Sequence, residues 1–311
     1  MEAQSQVSVV VVSFNTEEKL RRCLSCIEGR HEVIVVDNGS SDGSAEMVRA
    51  EFPEAKLIGN SGNVGFGAAN NQGIDLASRP LALLLNSDCY ASPGAIDLLA
   101  DAFDDQTVVV AGGKLLNPDG SLQESVAGPL TLWAVFLEQT YLERFAGASK
   151  YWRTRQLLTR ANLPASLEVD QVMGACLMMR PLERFDERFF LYCEDTELCL
   201  RLRRHGRIVY MPGAQFTHEL GSSSVGASRW LSVARYNRGK ELFFAIHRGP
   251  LACALCWLLD RFGALIRLLA YCLAVIFTLG QRKEWRARPA LWFRVLTASL
   301  RGPDRPPRRA G

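Results

Sequence analysis

The chain has 311 residues, 48% hydrophobic and 22% charged, the balance of a folded globular protein rather than a disordered one. Its formal net charge of +3 is too small to argue for a nucleic-acid partner. The charge is unevenly spread. From Gln281 onward Arg282, Lys283, Arg286, Arg288, Arg294, Arg301, Arg305, Arg308 and Arg309 are opposed only by Glu284 and Asp304. A basic tail beside an apolar stretch suits an anionic membrane surface. Nine cysteines, an odd number placed mostly in apolar runs, predict reduced thiols and a cytoplasmic location. Two CxxC spacings, Cys23/Cys26 and Cys253/Cys256, lack nearby histidines and read as small core residues on helices. The N-terminus is polar, with neither a basic n-region nor a long apolar h-region, so no signal peptide is expected.

The predicted elements begin with a β-branched run, Val7 to Phe14, a buried strand by composition. A helix follows over Thr16 to Ile27, with Leu20, Leu24 and Ile27 three and four residues apart. Glu32 to Val36 is the second strand, Asp37 to Gly43 a turn, and Ser44 to Phe52 a helix. Lys56 to Gly59 is a short strand, Asn60 to Gly67 a Gly/Asn-rich loop, and Ala68 to Ala77 a helix. Leu81 to Leu85 is a strand, Pro93 to Phe103 a helix with proline at its start, and Val108 to Gly112 a strand. This alternation predicts a three-layer α/β fold with a mostly parallel central sheet.

Leu130 to Thr159 is helix-prone and carries Trp133, Phe136, Tyr141, Phe145, Tyr151 and Trp152, which either pack on the sheet or wall an acceptor site. Strand signals return over Gln171 to Arg180. Thr196 to His205 reads as an amphipathic helix with basic residues near its end and Gly206 as its stop. Arg207 to Tyr210 is a last short strand. From Arg229 the sheet signals cease. Leu251 to Leu279 is apolar but interrupted by Asp260, Arg261 and Arg267. Its clean part, Leu268 to Leu279, is shorter than the roughly 20 residues a spanning helix needs. Amphipathic helices on a membrane or packed on the domain are therefore expected. Residues 1–225 are read as the α/β domain, with a helical insert at about 130–165, and 226–311 as a helical, apolar and basic extension.

Three apolar runs stop at a carboxylate: Val33–Val36 at Asp37, Leu81–Leu85 at Asn86-Ser87-Asp88, and Phe189–Cys193 at Glu194-Asp195. In open α/β sheets the carboxyl ends of the strands face the ligand. Asn86-Ser87-Asp88 resembles a DxD motif with its first Asp replaced, and Mg²⁺ or Mn²⁺ takes hard oxygen ligands plus substrate phosphates. The same tripeptide also makes ordinary turns. Asp37 can accept hydrogen bonds from a base N–H or a ribose hydroxyl, or cap a helix. Of Glu194 and Asp195, one can cap a helix and one can act as general base, with Phe189, Phe190 and Tyr192 raising its pKa by desolvation. His218 is either structural or, beside Asp88, a metal ligand. Gly62 to Gly67 has the wrong order for a dinucleotide fingerprint; Gly65 and Gly67 read as close backbone approach to a ligand.

Val11 to Asn15, Val35 to Gly43, Asn60 to Gly73, Leu83 to Asp88, Gly174 to Arg180 and Phe185 to Arg203 occur in the order of a family 2 glycosyltransferase, which the chain resembles over residues 7–225. It looks like the bacterial rhamnosyltransferase-like branch. The resemblance implies a GT-A fold and inverting transfer from a nucleotide-diphosphate sugar, dTDP-rhamnose by the branch's example, to a cell-envelope or lipid-linked glycan. It implies that Asp37 contacts the base beside Ser13 and Asn15, and that Asn63, Gly65, Asn70, Asn86 and Ser87 line the donor site. Asp88 and His218 bind Mg²⁺ or Mn²⁺, and Asp195, supported by Glu194, is the catalytic base. The branch commonly has Pro where Ser87 stands. A QxxRW motif is missing, which speaks against a processive synthase. The expected seat is peripheral, on the inner face of the cytoplasmic membrane. Two other classes are a sugar-phosphate nucleotidyltransferase, whose triphosphate loop Ser13-Phe14-Asn15-Thr16 does not supply, and a non-catalytic nucleotide-sugar-binding protein.

Overall fold

The computed structural model describes residues 6–144, 163–219, 229–279 and 281–298. Four strands, β1 (Val7–Ser13), β2 (Glu32–Asp37), β3 (Lys56–Gly59) and β4 (Leu81–Asn86), pair in the order β3-β2-β1-β4, all parallel. The sheet continues through β11 (Cys176–Met179), β6 (Val108–Leu116), β12 (Arg207–His218) and β5 (Cys89–Ala91). β6 and β12 run with the first four, whereas β11 and β5 run against them. Strand order reverses between β1 and β4, so a crevice opens at their carboxyl ends. Short pairings add β7 (Leu122–Gln123) on β6 and β9 (Leu167–Glu168) on β12, and pair β8 (Val126–Ala127) with β10 (Gln171–Val172) in a separate sheet. Two-residue strands carry no alternation signal, so the sequence did not announce them.

Alternate residues of each central strand feed opposite cores. Val9, Val11, Leu83 and Leu85 pack with α1 (Glu17–Ser25), α2 (Ser44–Glu51) and α4 (Ala95–Ala100) on one face. Val10, Ile34, Val36 and Leu84 pack with α3 (Phe66–Leu76) and α6 (Glu194–Leu202) on the other. The three-layer α/β expectation therefore holds. Helix α3 lies so close to β1 that a Cβ on Gly73 would stand 2.2 Å from Val10 Cγ1.

Several boundaries differ from those read in the sequence. α3 begins at Phe66, not Ala68, and α6 at Glu194, not Thr196. β12 does not end at Tyr210 but runs to His218. Its register against β6 shifts between Met211 and Gln215, around Pro212-Gly213, so a pair that normally stops a strand is absorbed as an irregularity. Of the aromatic middle region, α5 (Leu132–Thr140) is a helix, while Phe145, Tyr151 and Trp152 lie outside the described residues.

The C-terminal part is helical: α7 (Arg229–Arg248), α8 (Pro250–Phe277), α9 (Lys283–Arg286) and α10 (Arg288–Thr297). Gly249, at φ 85°, separates α7 from α8, and Pro250 opens the latter. α5, α7 and α8 share a core of Val135, Phe243, Phe244 and Cys256 with Phe189 and Cys193. Helix α8 inverts the usual arrangement. The charges that interrupt its apolar run face inward, with Asp260 1% and Arg267 8% exposed. Its outer face shows Leu251, Leu255, Leu258, Phe262, Leu265, Leu269, Leu273 and Ile276, three and four residues apart, at 41–73% exposure. Asp260 accepts from Lys240 Nζ at 2.6 Å and from Gln139 Nε2 at 3.0 Å, and Arg267 donates to the carbonyls of Glu138, Gln139 and Gly263. Among the described residues no helix is long and apolar enough to cross a membrane.

Candidate functional site

Backbone register brings the three carboxylate stops to one sheet edge. Ser13 is opposite Asp37 across β1 and β2, and Val12 is opposite Asn86 across β1 and β4. The β11 end reaches the same edge, because Asn86 N donates to Ala175 O at 3.1 Å. One residue away, Gly174 N donates to Asp195 Oδ2 at 2.9 Å. A side chain on Gly174 would meet both Asp195 Cβ and Phe66 Cε1 at 3.4 Å.

At the β2 end, Asp37 is buried and its Oδ2 accepts from Ser40 N at 3.1 Å. Its Oδ1 is buried without a hydrogen-bond partner among the described residues. A buried carboxylate oxygen left open in this way costs free energy unless a ligand donor meets it. Asn15, in the left-handed region at φ 54°, accepts from Ser41 N at 2.8 Å and donates its own N–H to Ser40 Oγ at 2.9 Å, bracing the turn. Ser13 Oγ, Thr16 Oγ1 and Ser87 Oγ form a buried hydroxyl chain at 3.0 and 2.9 Å. Ser87 is therefore engaged with the β1 end.

The loop after β3 is tied inward. Asn38 bonds Asn63 Oδ1, Gly65 O and Val64 N, and Asn63 Oδ1 also accepts from Gly65 N. Asn70 is buried and donates to Phe66 O one turn back. Gly65 and Gly67, expected to approach a ligand closely, also approach the chain itself. Cβ atoms there would stand 2.9 Å from Phe190 O and 3.0 Å from Phe185 Cβ. Gly65 also has φ 97°, which only glycine adopts freely.

At the β4 and β12 ends, His218 Nε2 lies 3.2 Å from Asp88 Oδ1 and 3.3 Å from Asn86 Nδ2. Gln123 sets the histidine's tautomer. Its Nε2 donates to two carbonyl-type oxygens, His218 O and Asn117 Oδ1, so its Oε1 is the atom 2.6 Å from Nδ1. Nδ1 therefore carries a proton, and Nε2 is the ring nitrogen that faces Asp88. A ring nitrogen and a carboxylate oxygen facing each other in this way can share a cation. Ligands about 2.1 Å from an ion and at right angles stand about 3.0 Å apart, close to the observed spacing. Asn86 Oδ1, buried and without a partner among the described residues, adds an oxygen at the same corner. These residues fit a hard divalent metal. Glu219 holds the strand end down, binding Lys19 and Arg22 of α1 at 3.0 Å each. A second carboxylate–histidine group, Glu28, His31 and Asp97, lies before β2 at the opposite edge. Arg30 binds Glu28 at 2.5 Å and also binds Asp97, so a guanidinium already serves those carboxylates.

Glu194 and Asp195 form the first turn of α6, whose cap position, Cys193, makes no side-chain cap bond. Tyr192 (φ 74°) and Cys193 (φ 67°) are consecutive non-glycine residues in the left-handed region, a costly turn that points to a constrained site. Burial first, and then the Asp195 charge, push the Glu194 carboxyl from its ordinary 4.5 up to about 8. Glu194 Oε2 has no partner among the described residues. Burial also raises Asp195, but N–H groups of Gly174 and Thr196 at 2.9 and 2.7 Å support its charge. The geometry thus provides a neutral Glu194 beside an Asp195 able to take a proton.

Gln123, Thr16 and Asn38 were not singled out in the sequence. Gln123 lies on a two-residue strand far from its histidine in the chain, and only the tertiary fold joins them.

The family model for glycosyl transferase family 2 matches residues 8–162. The chain is 29% identical over 274 residues to an N-acetylglucosaminyl-diphospho-decaprenol L-rhamnosyltransferase of Mycobacterium tuberculosis, covering 81% of this chain and 88% of that one. It is 27% identical over 208 residues to a low-salt glycan biosynthesis hexosyltransferase of Haloferax volcanii, covering 64% and 62% of the two chains. Among solved structures, a mannosyltransferase from Pyrobaculum calidifontis in complex with GDP-Man and Mn²⁺ superposes with TM-score 0.56 at 14% identity, covering 95% of this chain and 86% of that one. S. aureus TarS superposes with TM-score 0.50 at 15% identity, covering 94% and 81%. These structural likenesses identify the GT-A fold. The chain belongs to glycosyltransferase family 2, in its rhamnosyltransferase-like branch, and is a glycosyltransferase that uses a nucleotide-sugar donor.

Proposed function

We propose that the chain is a metal-dependent, inverting transferase that moves rhamnose from a nucleoside diphosphate to a hydroxyl of a lipid-diphosphate-linked glycan. The observation that carries the mechanism is the desolvated Glu194–Asp195 pair, in which one carboxyl stays neutral and the other keeps donors to its charge. The donor and acceptor readings rest on the mycobacterial relative named above.

Asp37 reads the base through its open Oδ1, with Ser13 and Asn15 holding the turn around it. Asn63, Gly65 and Asn70 shape the donor loop, and Ser87 fixes Asn86 and Asp88 against β1. Asp88 and His218 hold Mg²⁺ or Mn²⁺, with Asn86 beside them. When bound, the metal neutralises the charge that gathers on the leaving diphosphate. Asp195 takes the acceptor hydroxyl proton as that oxygen bonds the anomeric carbon from the face opposite the leaving group. The bond from that carbon to the diphosphate oxygen breaks, and its electron pair departs with the nucleoside diphosphate. One displacement needs one base and inverts the configuration.

Residues 1–225 form the catalytic unit in this reading and 226–311 its attachment. Nine free thiols suit a reducing compartment. The exposed apolar stripe of α8, followed by exposed Arg282, Lys283, Arg286 and Arg294, suits the anionic inner surface of the cytoplasmic membrane. The test assays wild type and Asp195→Asn over a panel of nucleotide sugars, with the anomer of the wild-type product read by NMR. In the variant transfer should be lost while donor binding persists. Near-normal turnover, or a retained anomeric configuration, would overturn the mechanism.

A further inference from the structure

Behind the turn that leads into Glu194 and Asp195 lies a shallow, solvent-open pocket. Arg188, Arg235 and Arg238 line it, with Phe189, Phe190 and Tyr192 supplying apolar and aromatic wall, and no carboxylate among the described residues lines it. Arg188 pairs with Asp186 at 2.5 Å, which offsets one charge. The Arg235 guanidinium lies 5.3 Å from the centre of the Phe190 ring, a stacked placement that orients its N–H groups. Arg238 makes no ion pair among the described residues. A pocket in which planar, multi-donor guanidiniums, Arg238 foremost, stand beside aromatic walls fits a phosphate-type anion attached to an apolar group.

The wall separates this pocket from the donor edge. On one side Phe190 O accepts from Phe66 N, at the start of α3, at 2.9 Å. On the other, α7 presses so closely that a Cβ on Gly239 would stand 2.5 Å from Tyr192 O. The next residue, Lys240, is fully buried and bonds Asp260 of α8 at 2.6 Å. The cationic pocket is thereby fixed to the helix whose outer face is apolar. A polar anion seat and an apolar strip on one helical pair match an amphiphile with an anionic head.

We propose that the pocket of Arg188, Arg235 and Arg238 seats the diphosphate of an isoprenyl-diphosphate-linked sugar acceptor, across the wall from the donor. This rests on the transferase reading above for the acceptor's class. Arg235 and Arg238 act on the acceptor from the far side of the turn from the nucleotide.

The test uses full-length protein, a short-chain isoprenyl-diphosphate-linked sugar, and the same sugar on a neutral alkyl chain. Arg238→Gln and Arg235→Gln should raise KM for the diphosphate acceptor about tenfold or more, the loss expected for a charge-assisted contact. KM for the neutral acceptor should stay close to that of wild type. Arg238→Lys should recover part of the loss, which a folding defect would not allow. Equal losses on both acceptors would overturn the proposal, and so would a rise in donor KM in place of acceptor KM, which would assign the pocket to the nucleotide. Binding of a short-chain isoprenyl diphosphate alone, by calorimetry, keeps this separate from catalysis. If wild type binds it and Arg238→Gln does not, the pocket stands even where transfer fails and the sugar-transfer reading falls. If both bind it equally, the pocket proposal falls. Inorganic pyrophosphate as competitor distinguishes a bare anion site, which it would occupy as tightly, from one that also uses the apolar wall.

Discussion

Replacing Glu194 with Gln tests the charge arrangement at the site without requiring the substrate. The Glu194 carboxyl is buried, with its pKa pushed from 4.5 up to about 8 by burial and then by Asp195. A carboxyl raised on folding contributes stability that is fully present below its unfolded pKa and is lost as pH rises through its folded pKa. From 4.5 to pH 7 is about 2.5 units, and each unit carries 1.36 kcal/mol, so the group forfeits about 3 kcal/mol by pH 7. Glu194→Gln has no such slope. Its amide brings an additional buried N–H that costs about 1–3 kcal/mol at every pH, so the offset is uninformative and the slope is the readout. Urea unfolding of both proteins from pH 5 to pH 8 should show the variant gaining on wild type steadily as pH rises. Because Gln mimics the neutral acid, the variant should also keep transfer activity near pH 7, while Asp195→Asn should not. Parallel stability curves would refute the reasoning: Glu194 would then be ionised in the folded protein, and the division of labour within the pair would be wrong.

Gln123→Leu removes the acceptor of His218 Nδ1–H, and Mn²⁺ affinity measured by calorimetry should fall about 10- to 100-fold. Lys240→Met leaves Asp260 buried without its cation, and chemical denaturation should report a loss of about 3–5 kcal/mol. Gly239→Ala drives a methyl group against Tyr192 O and should cost about 1–3 kcal/mol in the same assay. Leu258→Glu with Leu265→Glu, on the outer face of α8, should lower binding to anionic vesicles in a flotation assay about tenfold or more per leucine while leaving the melting temperature near that of wild type.

The sheet and its acidic edge were legible because each relies on local signals. A β-branched run that stops at Asp37 or at Asn86-Ser87-Asp88 states both the strand and its carboxyl end, and parallel pairing places those ends together. What depended on distant segments was not legible. His218 stood out as a residue, but the last strand was expected to end at Tyr210, and only the irregularity around Pro212-Gly213 shows how β12 carries the imidazole to Asp88. Gln123 has no local signature, since it owes its place to a two-residue pairing with β6. Gly65 and Gly67 were legible as tight positions, yet composition could not say whether a ligand or Phe190 and Phe185 filled the space. Arg235 and Arg238 drew no reading from the sequence, because only packing of α7 against the 190–193 turn gathers them with Arg188.

The inside-out polarity of α8 also governs how the protein behaves in a test tube. A 28-residue helix spans about 42 Å, and its row of exposed leucines and phenylalanine is long enough to drive association whenever no bilayer is at hand. In plain buffer the particle size should therefore depend on concentration, with mild detergent returning it toward the 34.5 kDa chain plus bound detergent. Oligomeric states measured without a lipid or detergent partner would then describe the shelter the stripe has found, not the assembly in which the enzyme works.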